Sequence, residues 1–405
     1  SLSGQAISDS ILIITSRNFS NFKIASDVSY ISLEPALTGA QVNGLLARYS
    51  KKIGPDPASI NAAMIGGIAA NNASGMCCGI SQNSYKTLKS MKLIFSDGTK
   101  LDTSCEKSKD SFRKTHDEFL KDLKSFSEET KTNEELRAKI ERKYKIKNTC
   151  GYSLNSLIDF DDEFEILEHL IIGSEGTLAF IEEITYYTVE DLKDKASTLI
   201  YFKDIKEACS AVTKLKLAKE AKTINVEAVE LMDRAGLASI ENDPAMPAFI
   251  KDFDENVTAL LIETRAISDE QLDIQTAQIE ELLSEFSVVR DIYFTKDVAE
   301  YTLYWKIRKG LFPAVGAVRE TGTTVIIEDV AYPIECLAEA TLELQELFKK
   351  HNYSEALIFG HALEGNFHFV FTQDFSDPKE VKRYDDFMND VVHSVAVKYQ
   401  GSLKA

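Results

Sequence analysis

Apolar positions along the chain fall into short runs that change their period at recognisable breaks. In the first half, residues 11–15 and 28–33 read as short buried strands. Residues 38–52 place Val42, Leu45, Leu46 and Tyr49 at helical spacing. Gly54-Pro55-Asp56-Pro57-Ala58-Ser59 ends that pattern and leads into a stretch of small residues. Residues 91–95 and 100–103 flank Asp97-Gly98, which predicts a hairpin. Residues 106–147 are polar, highly charged and mostly helical in spacing, which predicts an excursion over the surface. A mostly apolar run at 166–172, interrupted by Glu168 and His169, precedes the turn Gly173-Ser174-Glu175-Gly176-Thr177-Leu178. A run rich in β-branched and aromatic residues at 179–189 follows it, so the expectation is strand–turn–strand.

A charged stretch at 190–195 shifts the composition and marks the expected domain boundary, giving domains 1–192 and 193–405. Two domains also suit 405 residues. Beyond the boundary, strands are expected at 197–202, 257–263, 288–294, 323–330 and around 356–371. Helices alternate with them, starting at 205, 268, 298, 334 and 378. That order predicts an α+β layer, a sheet with helices on one face.

Composition narrows the function classes. Hydrophobic residues make up 44% and charged residues 27%, which is the balance of a globular protein. A net charge of −18 argues against nucleic acid or an anionic membrane as the main partner. No apolar run is long enough to span a bilayer. Cys77, Cys78, Cys105, Cys150, Cys209 and Cys336 show no metal-binding spacing, so reduced thiols in a cytoplasmic setting are expected. The chain opens on Ser1 in a Gly/Ser-containing stretch with no signal peptide, and reads as a piece of a longer protein.

Four stretches carry candidate chemistry. Residues 66–75 (GGIAANNASG) have no charge and no side chain larger than Ile. Their glycines let a ligand approach the main chain, as a phosphate-holding loop requires; a tight turn under a helix is the plainer reading. His361 and His368 lie seven apart across a Glu-Gly-Asn turn, and a hairpin would bring both imidazoles together. With one carboxylate they would bind a divalent metal; hydrogen-bonded strand histidines are the alternative. Arg308, one helical turn from Trp305, the only tryptophan, can grip a carboxylate in a bidentate fork or belong to a solvated basic turn. Glu227, Glu230 and Asp233 would share a helical side, which predicts a solvated acidic face. His169 reads as a core histidine, and His116, His351 and His393 as surface residues.

Taken in order, Ser1 to Gln5, residues 54–59, 66–79, 173–178, 305–308 and 360–368 resemble the FAD-linked oxidases of the PCMH-type (vanillyl-alcohol-oxidase) superfamily. Within it, residues 71–79 and 359–366 resemble the bacterial FAD-dependent D-lactate dehydrogenases that also carry an iron–sulfur domain. The resemblance implies a PCMH-type FAD-binding domain, incomplete at its N-terminus, followed by an α+β substrate (cap) domain with an antiparallel sheet. It implies that Ser1, Ser3 and Gly4 end the loop gripping the FAD pyrophosphate. Gly66, Gly67, Asn71, Asn72, Gly75, Gly173, Glu175 and Gly176 would line the cofactor. Arg308 would hold the carboxylate of a D-2-hydroxy acid, and His361 and His368 a divalent metal, zinc, that polarises its hydroxyl. Electrons would pass through an iron–sulfur domain to a quinone, in a cytoplasmic protein with at most peripheral membrane association.

Relatives begin earlier and continue past Ala405 into a Glu-His-Gly motif that supplies a third ligand, so the expectation is that this chain does not turn over alone. Ile327-Glu328-Asp329 lacks the lysine that some D-2-hydroxyglutarate enzymes have nearby, which favours a monocarboxylate such as lactate. D-2-hydroxyglutarate and glycolate dehydrogenases, a non-catalytic flavin-binding module and a zinc hydrolase remain as alternatives.

Overall fold

The computed structural model describes residues 13–75, 77–149, 151–242 and 246–404. Its contacts divide the chain into two units. One comprises residues 1–145 and 149–191, the other 146–148 and 192–405.

The first unit holds strands β1 (Phe22–Ile24), β2 (Tyr30–Leu33), β3 (Lys51–Ile53), β4 (Leu88–Ile94), β5 (Lys100–Asp102) and β6 (Phe180–Glu190). They run β1-β2-β6-β4-β5, all pairs antiparallel, with β3 paired to β6. The predicted hairpin is present as β4–β5. The polar stretch forms the helices Glu106–Thr115, Asp117–Thr132 and Glu134–Lys145. Of the stretch predicted as one helix at 38–52, only Gly39–Leu46 is α-helical, started by a Thr38/Gln41 capping box. A second departure precedes the turn at 173–178. The run there is the helix Glu163–Ile171, capped by Asp162, because its apolar positions Phe164, Leu167 and Ile171 recur at helical spacing.

The second unit is one antiparallel sheet. Its strands are β7 (Asp194–Phe202), β8 (Ala228–Met232), β9 (Thr258–Ala266), β10 (Thr324–Ala331), β11 (Leu357–His361), β12 (Asn366–Gln373) and β13 (Ser402–Lys404). Their order is β13-β10-β12-β11-β8-β9-β7. On one face, Val229, Leu231, Leu260, Ile262, Phe369 and Phe371 meet the helices Ile205–Glu220, Leu337–Lys350 and Pro378–Val392 in the main apolar core. The helices are not confined to that face: Val298–Val318 reaches residues on the opposite one. Residues 288–294, predicted as a strand, make only an isolated bridge beside β7 at Val288, with a second just beyond them at Thr295. The acidic stretch 227–233, predicted as a solvated helical face, is mostly the buried strand β8. Its period-two neighbours Val229 and Leu231 belong to the core, and alternation turns Glu230 to the other face.

Candidate active site

That other face carries a seam of polar residues across six strands. Register places His361 of β11 directly opposite Glu230 of β8, and His368 of β12 directly opposite Asp329 of β10. Directly opposite side chains are the pairs that touch across a sheet. His361 Nδ1–H donates to Glu230 Oε1 at 2.7 Å. His368 Nδ1 is hydrogen-bonded to Asp329. The two rings stand nearly perpendicular, 85° apart, with centroids at 5.3 Å. The connecting 3₁₀ turn Ala362–Glu364 and Gly365 close the expected hairpin.

Glu230 is completely buried. Burial alone would raise its carboxyl, but His361 and Arg308 overcome that and hold it down at about 2. The carboxylate therefore only accepts, which fixes the proton of His361 on Nδ1. Burial depresses His361 to about 4, against the pull of Glu230, so the ring is neutral at pH 7. Among the described residues, no hydrogen bond occupies Nε2 of His361 or His368. Two imidazoles whose Nδ1 atoms are tied to carboxylates present the lone pairs a divalent metal takes, in the arrangement that outer carboxylates impose on ligating histidines. The pair fits such an ion as two ligands. No group of three or more His, Cys, Asp or Glu side chains suited to hold a metal occurs among the described residues.

The helix Val298–Val318 starts at Asp297, whose side chain accepts from Ala299 and Glu300 backbone N–H. Arg308 reaches Glu230 Oε2 from both Nε (2.8 Å) and Nη2 (2.7 Å) and lies 4.5 Å over the Phe359 ring. Arg308 is thus buried, not part of a solvated basic turn. One edge of its fork is filled by an internal carboxylate, and Nη1 makes no hydrogen bond among the described residues. Trp305 is buried too, and its indole N–H donates to Glu263 Oε2 at 2.6 Å. Lys147, buried, adds positive potential that further depresses His361.

In the first unit the two small-residue stretches meet. Residues 65–71 form a short helix, not a loop. Its carbonyls Ala69 and Ala70 accept from Gly173 and Glu175 backbone N–H at 3.0 and 2.9 Å. Asn71 Nδ2 donates to Glu175 Oε1 at 2.6 Å, and Asn72 Oδ1 accepts from Tyr85 N–H at 3.3 Å. Gly66 and Gly75 serve the fold: a Cβ would come within 2.7 Å of Pro35 and 1.9 Å of the Asp56 carbonyl. The Asp56 carboxylate takes the N–H groups of Gly75, Cys77 and Cys78, which are therefore not free for a phosphate. Gly176, by contrast, faces open space next to exposed Glu175 and Thr177. Gly66 and Gly75 are thus packed closely against Pro35 and Asp56, while the turn at Gly176 is open. Ser1, Ser3 and Gly4 lie outside the described residues.

Of the other histidines, His393 is exposed and three have partners. His169 stacks on Phe160 and bonds the Glu165 carbonyl, His116 bonds Asp97, and His351 bonds Asp390. Glu230, Asp329, Lys147 and Glu263 escaped sequence reasoning. The available signal for Glu230 was one charge inside an apolar run of strand length, Ala228-Val229-Glu230-Leu231-Met232. Asp233, also assigned to the solvated face, is buried, with its oxygens on the N–H groups of Gly236 and Ile358 at 2.8 and 2.9 Å.

Residues 192–405 match the C-terminal domain of FAD linked oxidases, and residues 1–104 match an FAD binding domain. The chain is 23% identical over 424 residues to D-2-hydroxyglutarate dehydrogenase of Haemophilus influenzae, covering 99% of this chain and 40% of that protein. It is 25% identical over 240 residues to D-lactate dehydrogenase of Anaerostipes hadrus, covering 58% and 48%. The chain thus spans less than half the length of these curated relatives. Among solved structures it resembles alkyldihydroxyacetonephosphate synthase (TM-score 0.60, 16% identity, 96% of this chain and 62% of that one). It also resembles p-cresol methylhydroxylase (TM-score 0.58, 12% identity, 94% and 69%). The fold is therefore the expected PCMH-type α+β architecture.

Proposed function

The chain belongs to the FAD-linked oxidases, and from that premise we propose that it serves the oxidation of a D-2-hydroxy acid, D-lactate to pyruvate, with the polar seam of its second unit as the substrate site. The observation that supports this most is buried Glu230, which holds Arg308 by one oxygen and His361 by the other. A cation for the substrate carboxylate and an imidazole for its hydroxyl are thereby fixed side by side.

In this reading Arg308 meets the carboxylate through Nη1, its free edge, while Glu230 holds the other edge and the Phe359 ring lies against the guanidinium face. His361 and His368 direct Nε2 at a divalent cation, zinc, which when bound supplies Lewis-acid polarisation of the hydroxyl. Glu230 and Asp329 hold both rings in the ligating tautomer. FAD, carried by the exposed turn around Gly176 and the Asn71 side of its neighbouring helix, supplies the hydride acceptor. Gly67 belongs to that helix, Gly173 N–H is bonded to its Ala69 carbonyl, and Asn72 Oδ1 accepts from Tyr85 N–H. Iron–sulfur centres and a quinone acceptor belong to the same reading as partners, and a cytoplasmic location with at most peripheral membrane association accompanies it.

The Asp329 carboxylate beside His368 would repel a second substrate carboxylate, which supports a monocarboxylate; Glu328 points to the other face of the sheet, opposite Phe369. D-2-hydroxyglutarate is the second reading: its dehydrogenases align with 99% of the chain, and Lys147 is a cation near His361. The test is anaerobic visible spectroscopy of the intact flavoprotein with D-lactate, D-2-hydroxyglutarate and glycolate. Bleaching by D-lactate is the expected result; bleaching by another acid would replace the substrate, and none at all would overturn the reading.

A further inference from the structure

Three residues of the helix Val298–Val318 face the sheet at successive turns. Lys195 of β7 lies 4.3 Å over the Tyr301 ring, Glu263 of β9 accepts the Trp305 indole N–H at 2.6 Å, and Glu230 of β8 pairs with Arg308. Positions 301, 305 and 308 form one helical stripe, so the helix is fastened to three adjacent strands along its length. Glu263 is completely buried and anchored on every side. Its Oε1 takes Arg265 at 2.7 Å, and its Oε2 takes Ser197 at 3.2 Å and Trp305. A fully paired carboxylate of this kind is a fixed point. Glu263 hydrogen-bonds neither Arg308 nor either histidine, yet it fastens the turn of helix immediately before Arg308.

We propose that Glu263 is a positioning residue that sets the direction of Arg308 through Trp305, and so sets discrimination for substrates bearing a carboxylate next to the hydroxyl. The inference rests on the reading of Arg308 as the carboxylate-binding group. Glu230 alone fixes one edge of the guanidinium but lets it pivot about Oε2, since both nitrogens meet that single oxygen. The Glu263–Trp305 bond narrows that freedom by fixing where the helix carries the Arg308 stem.

The experiment compares kcat/KM for D-lactate, D-2-hydroxyglutarate and glycolate with that for their methyl esters, in the intact flavoprotein and its variants. Trp305→Phe keeps an aromatic ring, removes the N–H donor and leaves Glu263 paired with Arg265, Lys195 and Ser197; Glu263→Gln is the second variant. The acid-to-ester ratio is expected to fall about tenfold in both, the factor expected for one charge-assisted hydrogen bond. The fall should sit in KM for the acid, with kcat and the ester kinetics within about twofold. General damage to the fold would lower acid and ester together. A ratio unchanged in Trp305→Phe, while Arg308→Met collapses it, would overturn the role of Glu263 and leave the reading of Arg308 intact. A ratio unchanged in Arg308→Met would overturn both.

Discussion

Glu230 shows how far one buried charge can organise a site. It is ionised in the interior because Arg308 and His361 meet its two oxygens. Removing the Glu230 charge leaves buried Arg308 charged and unpaired. Glu230→Gln is therefore expected to lower the unfolding free energy of the chain by about 3 kcal/mol or more, read from urea midpoints. A change below about 1 kcal/mol would show that the seam is solvated in solution. Glu168 gives the opposite sign. Burial raises its carboxyl from the ordinary 4.5 to about 7, and its Oε2 has no hydrogen-bond partner. The folded state then holds the proton more tightly than the unfolded chain, so the stability it contributes is complete below about 4.5 and is lost as pH rises through about 7. Glu168→Gln should flatten that slope and gain on the order of 3 kcal/mol over wild type at pH 8 relative to pH 4, measured by urea unfolding. Parallel pH profiles would contradict it. His361, His368 and Arg308 were legible in the sequence as rare residues at suggestive spacings. Glu230 and Asp329 were not, because their roles come from cross-strand register between segments some 130 and 40 residues away from the histidines they hold.

The hairpin that carries both histidines depends on its turn. Gly365 has φ +61°, and a Cβ there would lie 2.2 Å from the Tyr332 carbonyl oxygen. Its own carbonyl accepts from Tyr332 N–H at 2.9 Å, so the turn is locked against the end of β10. Gly365→Ala should cost about 2–4 kcal/mol, combining left-handed strain with overpacking, and lower the thermal midpoint accordingly. An unchanged midpoint would mean that the turn relaxes without penalty. Hairpins were readable from local signals, as at Asp97-Gly98 and around Glu364-Gly365. Two readings failed where period and burial conflict. Residues 166–172 are apolar enough for a strand but belong to a helix, while 228–232 carry a helical-looking acidic spacing inside a buried strand. In each case packing against neighbours outweighed the local pattern.

At the scale of the whole molecule, each unit is built on its own antiparallel sheet. The first presents a small-residue turn with little charge, and the second a seam of charge. In the proposed reading the histidine pair of the second makes the reaction metal-dependent. Incubating the intact flavoprotein with EDTA should slow flavin reduction by the hydroxy acid at least tenfold without releasing flavin, and zinc should restore it. Full activity after the metal is removed, verified by elemental analysis, would exclude the histidine pair as a required metal site. The measurement that bears most directly on the account is stopped-flow anaerobic flavin reduction by the hydroxy acid in wild type and Arg308→Met, at equal flavin content. A loss of about a hundredfold or more in kcat/KM, with the flavin retained, is the predicted result. Equal rates would contradict the assignment of the seam around Glu230 as the substrate site.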